Sequence, residues 1–379
     1  MNQNRYSDLK ILNFPEKLRA LGEGRVSAPI YVRVKPINQC NHACRWCVYK
    51  ADRRTSEDGA HGVTRPTMEP IDSAMHTDMA EADVMPTEKM FEVLDDFAEM
   101  GVKAVTYSGG GEPLLHKDIV GIMQHTLNLG LDLSIITNGQ MLKGERARVL
   151  RYAKWVRVSM DYTNGPEMAR TRIVPERLFE DVLNNLREFA KLKHAGCDLG
   201  VNFIIHRGNS GFETNEPDKL VKFALTLRDC GVENVRLSPM WTPNLAEYHA
   251  PHRAMVEAQL RAVSQIIRDR QPFSVTSTFN LESAAHGVER GYTKCPFMQV
   301  VPVVGADQKV YACHNKAYDA SGCIGSIELM RFKELWFSAE AQEKFRMLNP
   351  QTDCRHQCAN DSKNILIHRL LEAHADNFV

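Results

Sequence analysis

The sequence predicts an α/β protein in which a domain of parallel strands precedes a smaller, cysteine-rich domain. Strand-like and helix-like segments alternate as far as about residue 240, and five of the ten cysteines gather towards the C-terminus. The 379 residues also exceed the roughly 250 to 300 that a single core usually contains. We expect an N-terminal extension at 1–29, the parallel-strand domain at 30–290, the cysteine-rich domain at 291–362 and a C-terminal helix at 363–379.

Six segments have the apolar and β-branched character of strands. They begin near Ile30, Val102, Leu131, Trp155, Leu199 and Asn234. The stretches between them predict helices, and strands that alternate with helices usually form a parallel sheet. In the clearest of these helices we expect Thr87 to cap the N-terminus and Gly101 to end the helix.

Residues 48–86 interrupt this alternation. They are mostly polar and show no sustained hydrophobic period, so they predict an insertion loop. Two interpretations are open, because long loops in compact domains are often functional. The loop is either a lid over an active site or an ordered excursion on the surface.

The overall charge argues against nucleic acid or an anionic membrane as a partner. The 47 acidic side chains balance the 47 basic ones, so no large field of one sign is expected. The N-terminus lacks an apolar signal region, and no later stretch approaches the roughly 18 apolar residues of a spanning helix. We therefore expect a cytoplasmic protein, in which ten cysteines predict metal or redox chemistry rather than disulfides.

The first group of cysteines follows the first predicted strand. Cys40, Cys44 and Cys47 have the spacing C-x3-C-x2-C. Three thiolates can hold three irons of a cubane cluster and leave the fourth iron open to another ligand. Zinc needs a fourth ligand to close a tetrahedron, which His42 could supply, so a zinc site and ordinary buried thiols are the alternatives.

A glycine-rich loop follows the second predicted strand, with the sequence SGGGEP from Ser108 to Pro113. Glycines let backbone amides approach a ligand closely, and Glu112 offers an anion for an ammonium group. The cysteine triad and this loop together resemble the radical S-adenosylmethionine (radical SAM) superfamily, in which a cysteine triad and a GGE loop occur in this order. The resemblance implies a partial (β/α)6 TIM-like barrel.

The resemblance also implies roles for single residues. The triad would ligate a 4Fe-4S cluster whose open iron chelates the methionine part of S-adenosylmethionine. The cofactor would be contacted by Trp46, by Gly110, Gly111 and Glu112 at its amino group, by Ser159, Asp161 and Asn138 at its ribose, and by Arg172 at its carboxylate. Ser, Asp and Asn after strands also cap helices or form turns, so a structural role is the alternative for those three.

A second group comprises Cys295, Cys313, Cys323, Cys354 and Cys358. Its surroundings resemble the SPASM and twitch domains of radical SAM enzymes, which implies a small α+β domain with an auxiliary 4Fe-4S cluster. We expect all of these cysteines except Cys323 to be ligands, because four complete a cubane. A zinc site that uses His314 or His356, or a set of buried thiols, is the alternative. We assign no role to Cys197 and Cys230, because small buried thiols are common in cores.

The resemblance implies an enzyme that reductively cleaves S-adenosylmethionine and abstracts hydrogen from a small-molecule or sugar-derived substrate. The outcome would be oxidation, epimerisation or bond formation, with electrons from a flavodoxin or ferredoxin. His314 could serve as a base for the substrate, since imidazole titrates near neutrality. The alternatives are a peptide or protein maturase of the SPASM type and, from another class, a non-catalytic zinc or iron-sulfur sensor or adaptor.

Overall fold

The computed structural model of the chain describes residues 7–49, 77–242, 245–267, 273–279, 290–354, 358 and 360–372. The predicted insertion loop at 48–86 is described only at its two ends, so the prediction of a lid lies outside the described residues. The end of the predicted helix at 363–379 lies outside them too. The domain boundaries expected from the sequence stay predictions.

Seven parallel strands form the main part of the sheet, in chain order. They are β1 (Tyr31–Val34), β2 (Ala104–Tyr107), β3 (Asp132–Thr137), β4 (Trp155–Met160), β5 (Asp198–Ile205), β6 (Asn234–Pro239) and β7 (Ser274–Ser277). The first six correspond to the six predicted strands. The seventh has the sequence SVTS and is largely exposed, so it lacks the apolar run that marks the others. The fold is α/β and agrees with a partial TIM-like barrel.

Helices alternate with these strands. They are α1 (Pro15–Gly22), α2 (Thr87–Met100), α3 (Ile119–Asn128), α4 (Gly144–Leu150), α5 (Gly165–Arg172), α6 (Leu178–Leu192), α7 (Lys219–Asp229), α8 (Leu245–His249) and α9 (Arg253–Ile267). Gly101 ends α2 with a φ of 81°, as predicted. The predicted cap at Thr87 is wrong: Pro86 precedes the helix, and the Thr87 hydroxyl donates to Asp118 Oδ2 at 2.5 Å.

The C-terminal part extends the same sheet past β1. β8 (Val303–Val304) pairs in parallel with β1, and β9 (Lys309–Tyr311) and β10 (Cys323–Ser326) follow in antiparallel order. Gln308 lies in the turn between β8 and β9 with a φ of 59°, a conformation that glycine adopts at less cost. The helices here are α10 (Phe332–Phe337), α11 (Ala339–Met347), α12 (Pro350–Asp353) and α13 (Asp361–Glu372).

This continuity decides where the functional residues meet. Because β1 lies between β2 and β8, the carboxyl end of β1 has the barrel on one side and the C-terminal hairpin on the other. The triad loop that follows β1 therefore begins beside the C-terminal hairpin. Among the described residues, no helix has both the length and the apolar character that crossing a membrane requires.

Candidate functional site

The first group of cysteines lies in the loop after β1, at the carboxyl edge of the parallel strands. Cys40, Cys44 and Cys47 are free thiols in partly exposed residues. The Cys47 N–H donates to the Cys44 carbonyl at 3.2 Å, and the His42 N–H lies 3.4 Å from Cys40 Sγ, so the loop folds back on itself. Burial of its sulfur is the main reason that the pKa of Cys44 is raised to about 12, and Cys47 and Cys40 act in the same direction. The three thiols thus interact as one group.

These donors suit an iron-sulfur cluster, which is held by soft thiolates. A thiol with a pKa near 12 is protonated at neutral pH, so a cluster must displace that proton when it binds. The ring of His42, the fourth ligand that a zinc site would need, has its Nε2 3.1 Å from Gln140 Oε1. In the described part of the chain, no group of three or more His, Cys, Asp or Glu side chains is arranged around a single metal-ion position.

The glycine loop is bound along its length to the segment that leads into the triad. The Gly111 N–H donates to the Ile37 carbonyl at 3.2 Å, and the Glu112 N–H donates to the Gln39 carbonyl at 2.9 Å. A Cβ atom on Gly111 would lie 1.9 Å from the Gln39 oxygen, and one on Gly110 would lie 2.3 Å from Asn38 Oδ1. Only glycine therefore allows the two segments to approach this closely. The two motifs form one structural unit.

Glu112 is turned into the protein. Its carboxylate accepts hydrogen bonds from the Thr137 hydroxyl at 2.7 Å, the Asn138 N–H at 2.7 Å and the Leu114 N–H at 3.1 Å. Burial raises its pKa, and these three donors oppose the rise. Glu112 thus fixes the glycine loop to the end of β3, and its contact with an ammonium group stays a prediction.

Asn138 supports the triad from the end of β3. Its side-chain amide donates to Asn41 Oδ1 at 2.7 Å, and the Asn41 amide donates to Gln140 Oε1 at 2.6 Å. The same Gln140 oxygen lies near the His42 ring. The predicted contact of Asn138 with a ribose stays a prediction. Asn41 and Gln140 were not predicted, because isolated amides carry no spacing signal.

Arg172, the last residue of α5, binds to the triad loop and to the end of β4. Its guanidinium donates to Asp161 Oδ1 at 2.7 Å, to the Ser159 carbonyl at 3.1 Å and to Cys44 Sγ at 3.1 Å. Burial alone would lower the pKa of Arg172, but Asp161 and Cys44 raise it well above its usual value. Burial raises the pKa of Asp161, and Arg172 opposes that rise. The four residues predicted here therefore meet in the structure, and their contacts with the cofactor stay predictions.

Trp46 is 9% exposed and packs on the other side of this group. Its ring lies 4.7 Å from the ring of His206, whose Nε2 is 3.3 Å from the Asp161 carbonyl. Burial lowers the pKa of His206 to about 3, so the imidazole is neutral at physiological pH. Sequence reasoning missed His206, which stands directly after predicted strand β5.

A buried lysine at the end of β1 was also missed. The Lys35 ammonium donates to Tyr49 Oη at 2.8 Å and to the Gly109 carbonyl at 2.7 Å. It thereby joins β1, the end of the triad loop and the glycine loop. Tyr49 in turn donates to the His314 carbonyl at 3.5 Å, in the C-terminal part. The available signal was a charged residue at the carboxyl end of an otherwise apolar strand, five positions before Cys40.

Four of the five cysteines of the second group line a single cavity. Cys295, Cys313, Cys354 and Cys358 all face this cavity, and Cys323 is not among its lining residues. Burial raises the pKa of Cys295 and of Cys313 to about 12 and that of Cys354 to about 11. Four thiols around one enclosed space are the donors that a fully ligated cubane requires. These are the four cysteines that the sequence predicted as ligands, and their role as ligands stays a prediction.

Other side chains around this cavity suit a negatively charged cluster. Arg290 and Lys316 line it together with Asn364, and all three residues are at most 7% exposed. The Asn364 amide lies 3.4 Å from Cys295 Sγ, and its oxygen accepts from the Phe297 N–H at 3.0 Å. Hydrogen bonds to ligand sulfurs and nearby cations tune iron-sulfur clusters. His356, one of the alternative zinc ligands, lies outside the described residues.

His314 follows Cys313 and contacts the aromatic residues near Lys35. Its ring centroid lies 6.1 Å from that of Tyr49, and in the described part its buried Nδ1 has no hydrogen-bond partner. Burial is the main reason that its pKa lies well below the usual value, and Lys35 and Arg33 lower it further. The imidazole is neutral and can accept a hydrogen bond, and its action as a base stays a prediction.

Comparison with known families and proteins gives partial matches. Residues 34–213 match the family model described as the radical SAM superfamily, and this range contains both the triad and the glycine loop. A PqqA peptide cyclase of Bradyrhizobium diazoefficiens is 31% identical over 126 residues, which cover 33% of this chain and 32% of that protein. A GTP 3',8-cyclase of Campylobacter fetus is 29% identical over 183 residues, 46% of this chain and 45% of the relative. This chain thus spans less than half of each relative.

Solved structures resemble nearly the whole chain. SuiB of Streptococcus suis bound to S-adenosylmethionine has a TM-score of 0.60 at 12% identity, covering 89% of this chain and 72% of SuiB. The structure of anSMEcpe with bound AdoMet has a TM-score of 0.57 at 14% identity, with 90% and 96% covered. SuiB bound to the precursor peptide SuiA has a TM-score of 0.58 at 12% identity, with 97% and 80% covered. At these identities the likeness shows the fold.

Proposed function

We propose, because residues 34–213 form a radical SAM domain, that this chain uses S-adenosylmethionine to start radical chemistry on a peptide. The observation that carries the proposal is the attachment of the glycine loop to the segment leading into the triad, through Gly111 and Glu112. S-adenosylmethionine held by the glycine loop would lie against a cluster held by the triad. Rigid positioning of this kind is what a protein contributes when the cofactor supplies the reactivity.

Named residues would bind the cluster and each group of the cofactor in the proposed site. Cys40, Cys44 and Cys47 would ligate a 4Fe-4S cluster, and the backbone of the Gly110–Gly111 segment would receive the amino group of the cofactor. When bound and reduced, the cluster would supply the electron for cleavage of the sulfonium into methionine and a 5'-deoxyadenosyl radical. Arg172 keeps Cys44 and Asp161 in place, while Asp161 and Ser159 lie at the strand end where the ribose is expected.

An auxiliary 4Fe-4S cluster is the second part of the proposal. The support is the cavity lined by Cys295, Cys313, Cys354 and Cys358. Arg290 and Lys316 beside it would offset part of the charge of four thiolates, while each also pairs with a carboxylate, Asp361 at 3.5 Å and Asp319 at 2.7 Å. A flavodoxin or ferredoxin would supply electrons from outside.

A peptide is favoured as the substrate by the relatives. One group of relatives is named for a peptide, PqqA. SuiB, which shares the fold, has been solved with its precursor peptide SuiA. The sequence alone had favoured a small molecule or a sugar derivative. GTP 3',8-cyclases at 28–29% identity keep a small molecule as the second candidate. Both groups of relatives are cyclases by name, so we propose the formation of a bond as the outcome.

The test is an anaerobic assay with the reconstituted protein, dithionite and S-adenosylmethionine. Candidate peptides, including those encoded beside the gene, are incubated in parallel with sugars and nucleotides. We expect a peptide to lose two mass units on forming one new bond, because one hydrogen atom passes to the 5'-deoxyadenosyl radical and the other hydrogen leaves as a proton, with its electron passing to the proposed auxiliary cluster. When that peptide is deuterated at the reacting carbon, deuterium should appear in 5'-deoxyadenosine.

The matched control is Cys47→Ala, in which the cluster lacks a ligand while the C-terminal cysteines are untouched. It should yield neither product. A mass change found only in a sugar or nucleotide would refute the peptide proposal and support a small molecule as the substrate. Zinc in place of iron, without cofactor cleavage, would contradict both and favour the non-catalytic alternative.

A further inference from the structure

Lys35 is a fully buried charged side chain near the proposed first cluster. It is 0% exposed and follows β1 directly at the carboxyl edge of the sheet. In the described residues its ammonium contacts only neutral oxygen atoms, those of Tyr49 Oη and the Gly109 carbonyl. A buried ammonium without an anion destabilises the folded protein. We therefore expect this charge to have a stabilising partner when the protein carries its cofactors.

The surroundings of Lys35 are those of a site built for a cation. Its Nζ lies 4.2 Å from the centroid of the Tyr49 ring and 5.8 Å from that of the Tyr318 ring. Aromatic faces at such distances attract an ammonium group, and the attraction strengthens away from water. Tyr318 is itself fixed, since its hydroxyl donates to Asn38 beside the glycine loop.

A cluster on the triad would supply the missing anion. Burial lowers the pKa of Lys35, and the charge of Arg33 lowers it further, whereas a negative charge at Cys47 raises it. Tyr49, which accepts the hydrogen bond from Lys35, stands only two residues after Cys47. A cluster ligated by Cys40, Cys44 and Cys47 would add its negative charge at this point.

We propose that Lys35 is a positioning residue for the first cluster: its buried ammonium is the counter-charge of the Cys47-ligated corner and fixes the glycine loop to that corner. The inference rests on the proposed function, because it requires a cluster on the triad. A nearby positive charge favours the more negative, reduced state of the cluster. Lys35 therefore makes the electron easier to deliver and links cluster loading to the position of the Gly109 carbonyl.

The test compares Lys35→Met with Lys103→Met. Lys103 is an exposed lysine just before β2, at the opposite end of the strands, so its loss changes the net charge equally but far from the cluster. The reduction potential is measured by an anaerobic redox titration of the EPR signal that responds to added S-adenosylmethionine. We expect Lys35→Met to shift this potential to more negative values and Lys103→Met to leave it at the wild-type value. Lys35→Arg, which keeps the charge, should lie nearer the wild type.

A second readout is the unfolding temperature of the protein with and without reconstituted iron and sulfide. Lys35→Met should lower it more in the loaded protein than in the apo protein, because the counter-charge matters only when the cluster is present. Equal losses in both forms, or an unchanged potential, would overturn the inference and leave Lys35 a structural residue. Lys35→Gln keeps a hydrogen-bond donor without the charge and replaces Lys35→Met if that variant does not fold. Failure of both to fold would also overturn the inference.

The outcomes separate this inference from the proposed function. Wild-type protein without iron at the triad would refute the proposed function itself. Wild-type protein that carries the cluster, together with a Lys35→Met variant of unchanged potential, would refute only the role of Lys35.

Discussion

Replacing Arg172 by methionine should destabilise the protein even before any cofactor is bound. The Arg172 and Asp161 side chains are 9% and 1% exposed, with Nε and Oδ1 2.7 Å apart. Removal of one partner of a buried ion pair costs about 3–5 kcal/mol, because it leaves the other charge buried and unpaired. The Arg172 contacts with the Ser159 carbonyl and Cys44 are lost as well.

The expected shift in unfolding temperature follows from the size of the chain. At about 2.1 cal/mol/K per residue, the unfolding entropy of a chain this long is about 0.8 kcal/mol/K. A loss of about 3–5 kcal/mol then lowers the unfolding temperature by about 4–6 °C. The assay is thermal unfolding of the apo protein followed by circular dichroism. Arg170→Met is the matched control, since Arg170 lies in the same helix, is exposed and should leave the temperature within about 1 °C of the wild type.

The double variant Asp161→Asn with Arg172→Met tests the cause of this loss. Because it removes the unpaired charge, it should recover part of the stability that Arg172→Met loses. A wild-type unfolding temperature for Arg172→Met would refute the reasoning. So would a double variant whose loss equals the sum of the two single losses, since the side chains would then be independent.

Three further predictions concern the glycine loop, the second cysteine group and acid stability. Gly111→Ala should abolish binding of S-adenosylmethionine in equilibrium dialysis. Gly121→Ala, whose Cβ would meet nothing within 4 Å, should bind the cofactor normally. Equal binding by the two variants would contradict the close approach of the two loops. Cys358→Ala should lose the auxiliary iron in a metal assay and Cys323→Ala should keep it, and the reverse would overturn the ligand set. Burial lowers the pKa of His252 from its usual 6.5 to about 4, so the unfolded chain takes up this proton first as the pH falls. The free energy of unfolding should therefore decrease between pH 6.5 and 4, and at pH 5 this residue accounts for a decrease of up to about 2 kcal/mol. Urea unfolding of the His252→Gln variant should show a smaller decrease than the wild type. A decrease identical to that of the wild type would refute the assignment to His252.

The sequence predicted the fold where local patterns carry the information. Six apolar strands and the helix that Gly101 ends were identifiable, because periodicity and a terminal glycine act locally. The seventh strand was missed, since Ser274–Ser277 is polar and mostly exposed. Thr87 was assigned a capping role because threonine often caps helices, but Asp118 is nearby only in the folded chain.

The site was predictable to a similar degree. The cysteine spacing and the glycine run are local signals that name a chemistry, and the structure brings each set together. Lys35, Asn41 and Asn364 act through contacts with residues 14, 97 and 69 positions away in the chain, and no local pattern records such distances. The choice of substrate depends on features that are even less local in the sequence. The sequence therefore favoured a small molecule, whereas the relatives favour a peptide.

Reductive cleavage of S-adenosylmethionine tests the central claim most directly. Anaerobically reconstituted wild-type protein with dithionite should form 5'-deoxyadenosine and methionine in equal amounts, measured by chromatography. Cys47→Ala should form neither, while Cys323→Ala should match the wild type. No 5'-deoxyadenosine from an iron-loaded wild type, or undiminished formation by Cys47→Ala, would contradict the account.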